Sequence, residues 1–289
     1  MTRRSLLSLL AATATTALGG CSVLNLFAAF TPRDPARHVG DAIAYGPGPR
    51  RTLDVYAPET GSGPWPTVVF FYGGGWNSGS RTEYGWAAQA IASRGFLVIV
   101  PDYRLVPEVI YPGFVEDCAL AVRWAQDHAA QYGGDPQRIL LTGHSAGAYM
   151  ALQLALDDDF LRAAGVDFAR IKGAAGLSGP YDFYPFDVKE SRDAFGAYQG
   201  DPKVTQPITY AGRPNRPPVL LIQGLADRLV GPHNAVNLDK ALRAAGNRST
   251  LRLYPGLAHT DTAAALSIPF RGKAPVLEEV IAFLRTAAG

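Results

Sequence analysis

The chain has 289 residues, of which 47% are hydrophobic and 18% are charged, and its formal net charge is +2. This length and composition allow one large buried core, so we expect a single main domain. The near-neutral charge and the lack of a Lys/Arg run leave no basic surface for nucleic acid. The glycine run at Gly73 leads to Trp76 rather than to Lys-Ser/Thr, so there is no phosphate-binding loop of the nucleotide type.

The first 21 residues have the parts of a lipoprotein signal peptide. Arg3 and Arg4 precede an apolar stretch at 6–18, and Cys21 follows Leu-Gly-Gly. The stretch is too short for a permanent transmembrane helix, and Cys21 resembles the lipid-modified cysteine of a bacterial lipobox. We therefore expect an exported lipoprotein of the cell envelope, anchored to the membrane through Cys21. Ordinary cleaved secretion and a retained anchor are the alternatives, and the paired arginines also resemble a twin-arginine export signal.

After a spacer at 22–41, the main domain is predicted to span 42–289. Strands are predicted at 42–45, 53–56, 67–72, 96–100, 139–142, 171–177, 219–223 and 251–254. Helices are predicted at 84–94, 114–132, 146–156, 234–245 and 274–286. This alternation predicts an α/β fold, a doubly wound and mostly parallel sheet with helices on both faces and antiparallel strands at its start. In such sheets the functional residues gather at the carboxyl ends of the strands.

One stretch, at about 178–218, breaks the alternation. It is rich in Tyr, Phe and Pro and has little periodicity, which predicts a small lid insertion over the active edge. Ordinary packing under a long loop is the alternative. We expect Trp76, His144 and Tyr181 to line an accessible substrate pocket suited to short acyl or aryl groups.

The stretch "ILLTGHSAGAYMAL" at 139–152 joins a buried strand to a helix at Ser145. Gly143 and Gly147 stand two residues to either side, where a Cβ would clash in a sharp turn. This is the GxSxG pattern that raises a nucleophilic serine above a sheet. A glycine-rich turn whose serine only caps the helix is the alternative.

A serine nucleophile needs a base and a carboxylate to orient that base. Of the five histidines, only His259 follows the last strand on a loop at the expected edge. Asp227 follows the preceding strand, in "VLLIQGLAD", whereas Asp201 lies in irregular chain and Asp261 is too near His259. We predict Ser145, Asp227 and His259 as the catalytic residues. A solvent-exposed His259 and a turn-capping Asp227 are the alternatives.

The reaction also needs hydrogen-bond donors where negative charge develops. "FYGGGW" at 71–76 ends the first long strand with three glycines. We predict that the backbone N–H groups of Gly73, Gly74 and Ala146 form an oxyanion hole. A purely structural glycine turn is the alternative.

Taken together, "FYGGGW", "PDYRLVPE", "GGDPQRILLTGHSAGA", "LSGPYD", "GLADRLV" and "YPGLAHTD" resemble the esterase/lipase group of the α/β-hydrolases. The resemblance runs from about Leu53 to the C-terminus and is closest to bacterial carboxylesterases, feruloyl-esterase-like domains and kynurenine-formamidase-like enzymes. One residue departs from the pattern, because the glycine-loop motif usually begins with His and here has Tyr72. In this group the Asp102-Tyr-Arg104 motif is structural, and we interpret Glu116-Asp117 as a solvated or capping pair.

The resemblance implies a serine carboxylesterase that hydrolyses small acyl or aryl esters through a covalent acyl-enzyme. No cofactor or metal is expected, because the histidines lack paired ligand spacing. Amide, formamide or peptide hydrolysis by the same residues is one alternative, and a non-catalytic envelope lipoprotein that keeps the fold for binding is another. The sequence gives no indication of the oligomeric state.

Overall fold

The computed structural model describes residues 26–289. The predicted signal peptide and Cys21 lie outside the described residues. Among the described residues, no helix combines the length and the apolarity that crossing a membrane requires.

Eight strands form one sheet. They are β1 (Ala36–Ala44), β2 (Thr52–Pro58), β3 (Trp65–Phe71), β4 (Leu97–Pro101), β5 (Gly134–His144), β6 (Ile171–Leu177), β7 (Val219–Gly224) and β8 (Ser249–Tyr254). Their order across the sheet is β1-β2-β4-β3-β5-β6-β7-β8. β1 pairs antiparallel with β2, and β2 pairs antiparallel with β4, whereas every pair from β4 to β8 is parallel. The predicted doubly wound, mostly parallel sheet with antiparallel strands at one edge is confirmed.

Helices connect the parallel strands. They are α1 (Gly85–Ala92), α2 (Gly113–His128), α3 (Ala146–Leu156), α4 (Asp159–Ala163), α5 (Lys189–Phe195), α6 (His233–Ala244), α7 (Asp261–Ala264) and α8 (Val276–Ala288). Residues 26–30 are also helical. α3 is buried along its whole length. A uniformly apolar helix of this kind belongs in the core, so the residue that precedes it is held by rigid structure.

Most element bounds differ from the predictions by one to three residues, and β6 and α3 match them. β5 is much longer than predicted, because Gly134 and Asp135 already pair with Trp65 and Pro66 at the start of β3. The stretch at 178–218, expected to be irregular, contains α5 and the short 3-10 helices Pro202–Thr205 and Pro207–Tyr210. Ala194 and Phe195 of α5 are buried, and their packing against distant residues stabilises this helix. The sequence of the segment has little hydrophobic periodicity and did not predict it.

Candidate active site

Ser145 occupies the turn between β5 and α3. Its backbone has φ 55° and ψ −123°, a conformation that is costly for a residue with a side chain and that clusters at functional sites. A Cβ on Gly147 would lie 2.0 Å from the carbonyl oxygen of Phe71, and one on Gly143 would lie 2.5 Å from the carbonyl oxygen of Gly147. The two glycines are therefore required by the close approach of β3 to this turn, as the sequence predicted.

The three residues predicted to act together do meet. His259 Nε2 lies 2.8 Å from Ser145 Oγ, and His259 Nδ1 lies 2.8 Å from Asp227 Oδ2. Both distances are within normal hydrogen-bonding range. Ser145 follows β5, Asp227 follows β7 and His259 follows β8, so the parallel sheet brings all three to one edge. Asp261, which the sequence analysis did not choose as the partner of His259, accepts a hydrogen bond from the backbone N–H of Ala258.

Asp227 is buried and fully engaged. Its Oδ1 accepts hydrogen bonds from the backbone N–H groups of Leu229 and Val230, each at 2.9 Å. Its Oδ2 accepts from Gln223 Nε2 at 2.9 Å as well as facing His259. Burial by itself would raise the pKa of Asp227, but the hydrogen bonds and the nearby imidazole outweigh it and lower that pKa. Asp227 is therefore ionised. It caps the turn through Oδ1 and contacts His259 through Oδ2, so both roles considered from the sequence are present.

His144 lies beside the nucleophile but does not contact its hydroxyl through the ring. Its Nε2 lies 3.0 Å from the backbone carbonyl oxygen of His259, and its Nδ1 lies 3.1 Å from the hydroxyl of Tyr84. Burial, followed by the proximity of His259, lowers the pKa of His144 to about 3. His144 is consequently neutral and does not compete with His259 as a base at neutral pH.

The glycine loop lies directly against the nucleophile. A Cβ on Gly73 would lie 3.1 Å from Ser145 Cβ, and Gly74 has φ +136°, which a side chain rarely allows. Ala146 begins α3, so its backbone N–H has no partner within the helix. The backbone N–H groups of Gly73, Gly74 and Ala146 remain the predicted oxyanion donors.

Tyr72, which replaces the usual His, braces the glycine loop. Arg50 Nη2 donates to the Tyr72 hydroxyl at 3.0 Å and to the carbonyl oxygen of Gly79 at 2.7 Å. The Tyr103 hydroxyl donates to the carbonyl oxygen of Tyr72 at 2.9 Å, and the two rings stack with centroids 4.5 Å apart. The phenol thus joins the loop to Arg50 and to the strand-end motif that begins at Asp102.

The three predicted pocket residues are all buried. Their exposed fractions are 4% for Trp76, 4% for His144 and 1% for Tyr181. His144 is held by the hydrogen bonds given above, and Tyr181 packs in the core. Trp76 lies in an aromatic cluster with Phe114, Tyr149, Phe183 and Phe195. These aromatic side chains bury one another beside the 178–218 segment, and the pocket role of the three residues stays a prediction.

A group of possible metal ligands lies elsewhere. Within the described residues, donor atoms of His38, Asp41 and Asp54 lie within 4.8 Å of one another on β1 and β2. Arg81 Nε donates to Asp54 Oδ1 at 2.7 Å, so a guanidinium already balances the buried carboxylate. The residues around Ser145 do not form such a group in the described part of the chain.

Sequence reasoning missed several residues that support the site. Tyr84 contacts His144, Gln223 donates to Asp227, and Thr262 Oγ1 lies 3.3 Å from the His259 carbonyl oxygen. Gln223 could have been found, because it is a polar residue in the otherwise apolar strand β7. Tyr84 and Thr262 carry no comparable sequence signal.

The chain matches one protein family and is similar to proteins named as esterases. The BD-FAE family model matches residues 53–242. Isoprenylcysteine alpha-carbonyl methylesterase ICME of Arabidopsis thaliana is 28% identical over 269 residues, which cover 86% of this chain and 62% of that protein. Esterase LipC of Mycobacterium tuberculosis is 29% identical over 238 residues, covering 75% of this chain and 58% of that protein. The chain spans about three fifths of the length of these relatives.

Solved structures agree on the fold. Esterase B of Lactobacillus rhamnosis, in a tributyrin phosphonate complex, superposes with a TM-score of 0.82 at 21% identity and covers 100% of this chain and 97% of that chain. Esterase 2 of Thermogutta terrifontis has a TM-score of 0.69 at 25% identity and covers 89% of this chain and 95% of that chain. The α/β-hydrolase fold is thereby confirmed. Because one family model matches well over half of its length, the chain belongs to the BD-FAE family.

Proposed function

We propose that the protein is a serine carboxylesterase. The observation that carries the proposal is the continuous hydrogen-bonded series from Ser145 Oγ through both nitrogens of His259 to a buried, ionised Asp227. A nucleophile, a base and a group that orients the base are the requirements for acyl transfer. Membership of the BD-FAE family and similarity to proteins named as esterases support the same reaction.

The contacts define the role of each group. His259 Nδ1–H donates to Asp227, which leaves Nε2 free to take the proton of Ser145 as its oxygen attacks the ester carbonyl. The negative charge that develops on the carbonyl oxygen is stabilised by the backbone N–H groups of Gly73, Gly74 and Ala146. His259 then gives the proton to the departing alcohol. A water, deprotonated by His259, releases the acid from Ser145 and restores the free enzyme.

The substrate we propose is a small ester. Trp76 packs edge-on against Tyr149 and Phe195 and stacks on Phe183, so the space behind the glycine loop is filled by aromatic rings. One structure of the Thermogutta terrifontis esterase is described as propionate-bound, and the plant relatives are named as methylesterases. Both names concern a small acyl or a small alcohol group.

A series of 4-nitrophenyl esters tests the activity. We expect hydrolysis of the acetate or butyrate to be fastest, and Ser145→Ala to abolish it. A matched amide, a formamide and a peptide substrate, run in parallel, separate esterase from amidase or peptidase action. Hydrolysis that survives Ser145→Ala, or a maximum at long acyl chains, would contradict the proposal.

We also propose that the protein is an envelope lipoprotein, anchored through Cys21. The support is the sequence at 1–21 alone. Expression in a bacterial host with a labelled fatty acid should give a labelled protein in the membrane fraction, and Cys21→Ser should remove the label. Labelling that persists in Cys21→Ser would overturn this proposal without affecting the esterase assignment.

A further inference from the structure

The two hydrogen bonds of His144 determine which of its nitrogens carries the proton. The carbonyl oxygen of His259 can only accept, so His144 Nε2, 3.0 Å away, must be the donor. A neutral imidazole with a proton on Nε2 has a lone pair on Nδ1. The Tyr84 hydroxyl, 3.1 Å from Nδ1, must therefore donate to it.

The same ring remains neutral for a physical reason. His144 is buried, and its ring centroid lies 5.0 Å from that of His259, the residue that becomes positively charged in the reaction. A second positive charge there would be costly, and burial together with His259 lowers the pKa of His144 to about 3. The tautomer inferred above is thus kept at every pH at which an esterase of this kind would work.

Tyr84 extends the series to the glycine loop. Its ring lies against that of Tyr72, the residue before the three glycines, with centroids 6.2 Å apart. A Cβ on Gly73 would lie 3.1 Å from His144 Nδ1, so the loop packs directly on the ring. Three separate segments, the glycine loop, the nucleophile turn and the loop after β8, are joined through one imidazole.

We propose that His144 is a positioning residue that holds the backbone of His259 through Nε2–H and holds the glycine loop through Tyr84, so that base, nucleophile and oxyanion donors keep one geometry. The proposal rests on the proposed esterase function. His144 does not touch the reacting atoms through its ring and transfers no proton to them.

The backbone of His259 needs such a contact. His259 lies in the turn between β8 and α7, where no strand pairing fixes its carbonyl group. That carbonyl is held by His144 Nε2 at 3.0 Å and by Thr262 Oγ1 at 3.3 Å. The direction of the His259 side chain follows from its backbone, and a displacement of about 1 Å can lower a rate by about 10²-fold.

Three substitutions at His144 separate hydrogen bonding from packing. In His144→Gln the terminal amide reaches about as far as Nε2 and can still donate to the His259 carbonyl. In His144→Asn the amide reaches only as far as Nδ1, and His144→Leu removes both bonds. Tyr84→Phe deletes one hydroxyl and keeps the ring. His128→Gln is the matched control, because His128 also bonds a carbonyl oxygen, that of Trp124, within α2.

We expect His144→Leu to lower kcat for 4-nitrophenyl acetate by about 10²-fold with KM changed by less than about threefold, because geometry rather than substrate contact is lost. His144→Gln should recover most of the lost kcat, and His144→Asn should not. Tyr84→Phe should fall between wild type and His144→Leu, and His128→Gln should match wild type. Equal recovery by Gln and Asn, or a kcat for His144→Leu within threefold of wild type, would overturn the proposal.

A second measurement does not depend on turnover. In wild type, the His259 Nδ1–H shared with Asp227 should give a low-field proton resonance, and His144→Leu should broaden or shift it while His144→Gln retains it. An unchanged resonance in a folded His144→Leu protein would overturn the proposal. If wild type neither hydrolyses esters nor reacts with a fluorophosphonate, the proposed function fails, and the resonance still tests the link between His144 and His259.

Discussion

Replacing Asp227 by Asn tests the orientation of His259 with almost no change of shape. Asp227 receives four donors: two backbone N–H groups on Oδ1, and Gln223 Nε2 and His259 Nδ1 on Oδ2. Asn has one acceptor oxygen, which we expect to stay with the two backbone groups. Its NH₂ group then faces Gln223 and His259. Gln223 Nε2 also donates to the Val230 carbonyl oxygen at 3.0 Å, so it can keep that bond when it loses its acceptor on residue 227.

His259 can satisfy the new NH₂ group only by presenting Nδ1 as an acceptor, which moves its proton to Nε2. Nε2–H then points at Ser145 Oγ, 2.8 Å away, and cannot take its proton. In the well-studied Ser-His-Asp proteases the same exchange lowers kcat by about 10⁴-fold, which corresponds to about 5.4 kcal/mol in the activation barrier. We expect a loss of that order here, with little change in KM.

Initial rates of 4-nitrophenyl acetate hydrolysis and a thermal unfolding curve provide the assay. Asp201→Asn is the matched control, because Asp201 accepts a backbone hydrogen bond from Lys203 in an exposed turn and should keep its activity on substitution. A folded Asp227→Asn enzyme with kcat within tenfold of wild type would refute the assignment of Asp227 as the group that orients His259.

Three further changes test the supporting structure. Gly147→Ala should destabilise the fold by at least about 3 kcal/mol in urea unfolding, because a Cβ there would lie 2.0 Å from a backbone oxygen, whereas Gly212→Ala, with open space around it, should not. Tyr72→Phe should cost about 1–3 kcal/mol, because Arg50 Nη2 and the buried backbone N–H of Tyr103 both lose the oxygen that accepts from them; an unchanged unfolding midpoint would contradict the bracing role. Burial would raise the pKa of Asp34, but hydrogen bonds headed by that from Arg271 lower it below its unfolded value. The resulting stability is present above the pKa of Asp34 in the unfolded chain, about 4, and is lost as pH falls through its pKa in the folded protein. The difference in unfolding free energy between wild type and Asp34→Asn should therefore disappear in acid. A difference that does not depend on pH would contradict this role of Asp34.

The site was predictable where its determinants are local. The glycines around Ser145 follow from the sharpness of one turn, and the meeting of Ser145, Asp227 and His259 follows from parallel strands whose carboxyl ends share an edge. Asp227 and His259 could be chosen because each follows a strand that hydrophobic runs identify. These arguments need no knowledge of how distant segments pack.

The remaining features depend on contacts between segments far apart in the chain. Asp117 was interpreted as part of a solvated or capping pair, yet it is fully buried and bonded by Arg51 and Arg104. The link from Tyr84 to His144 spans 60 residues. The burial of Trp76 has the same origin, because Phe183 and Phe195, from the segment at 178–218, pack against its ring. Hydrophobic periodicity identifies elements but does not determine which side chains meet.

The most direct test of the central claim is covalent labelling of the folded protein with a fluorophosphonate, followed by intact-mass measurement and peptide mapping. The structure predicts one adduct per chain, located on Ser145, with labelling greatly slowed in His259→Ala and absent in Ser145→Ala. An adduct on another residue, or no adduct on a wild-type protein that is shown to be folded, would contradict the account of Ser145 as a nucleophile activated by His259.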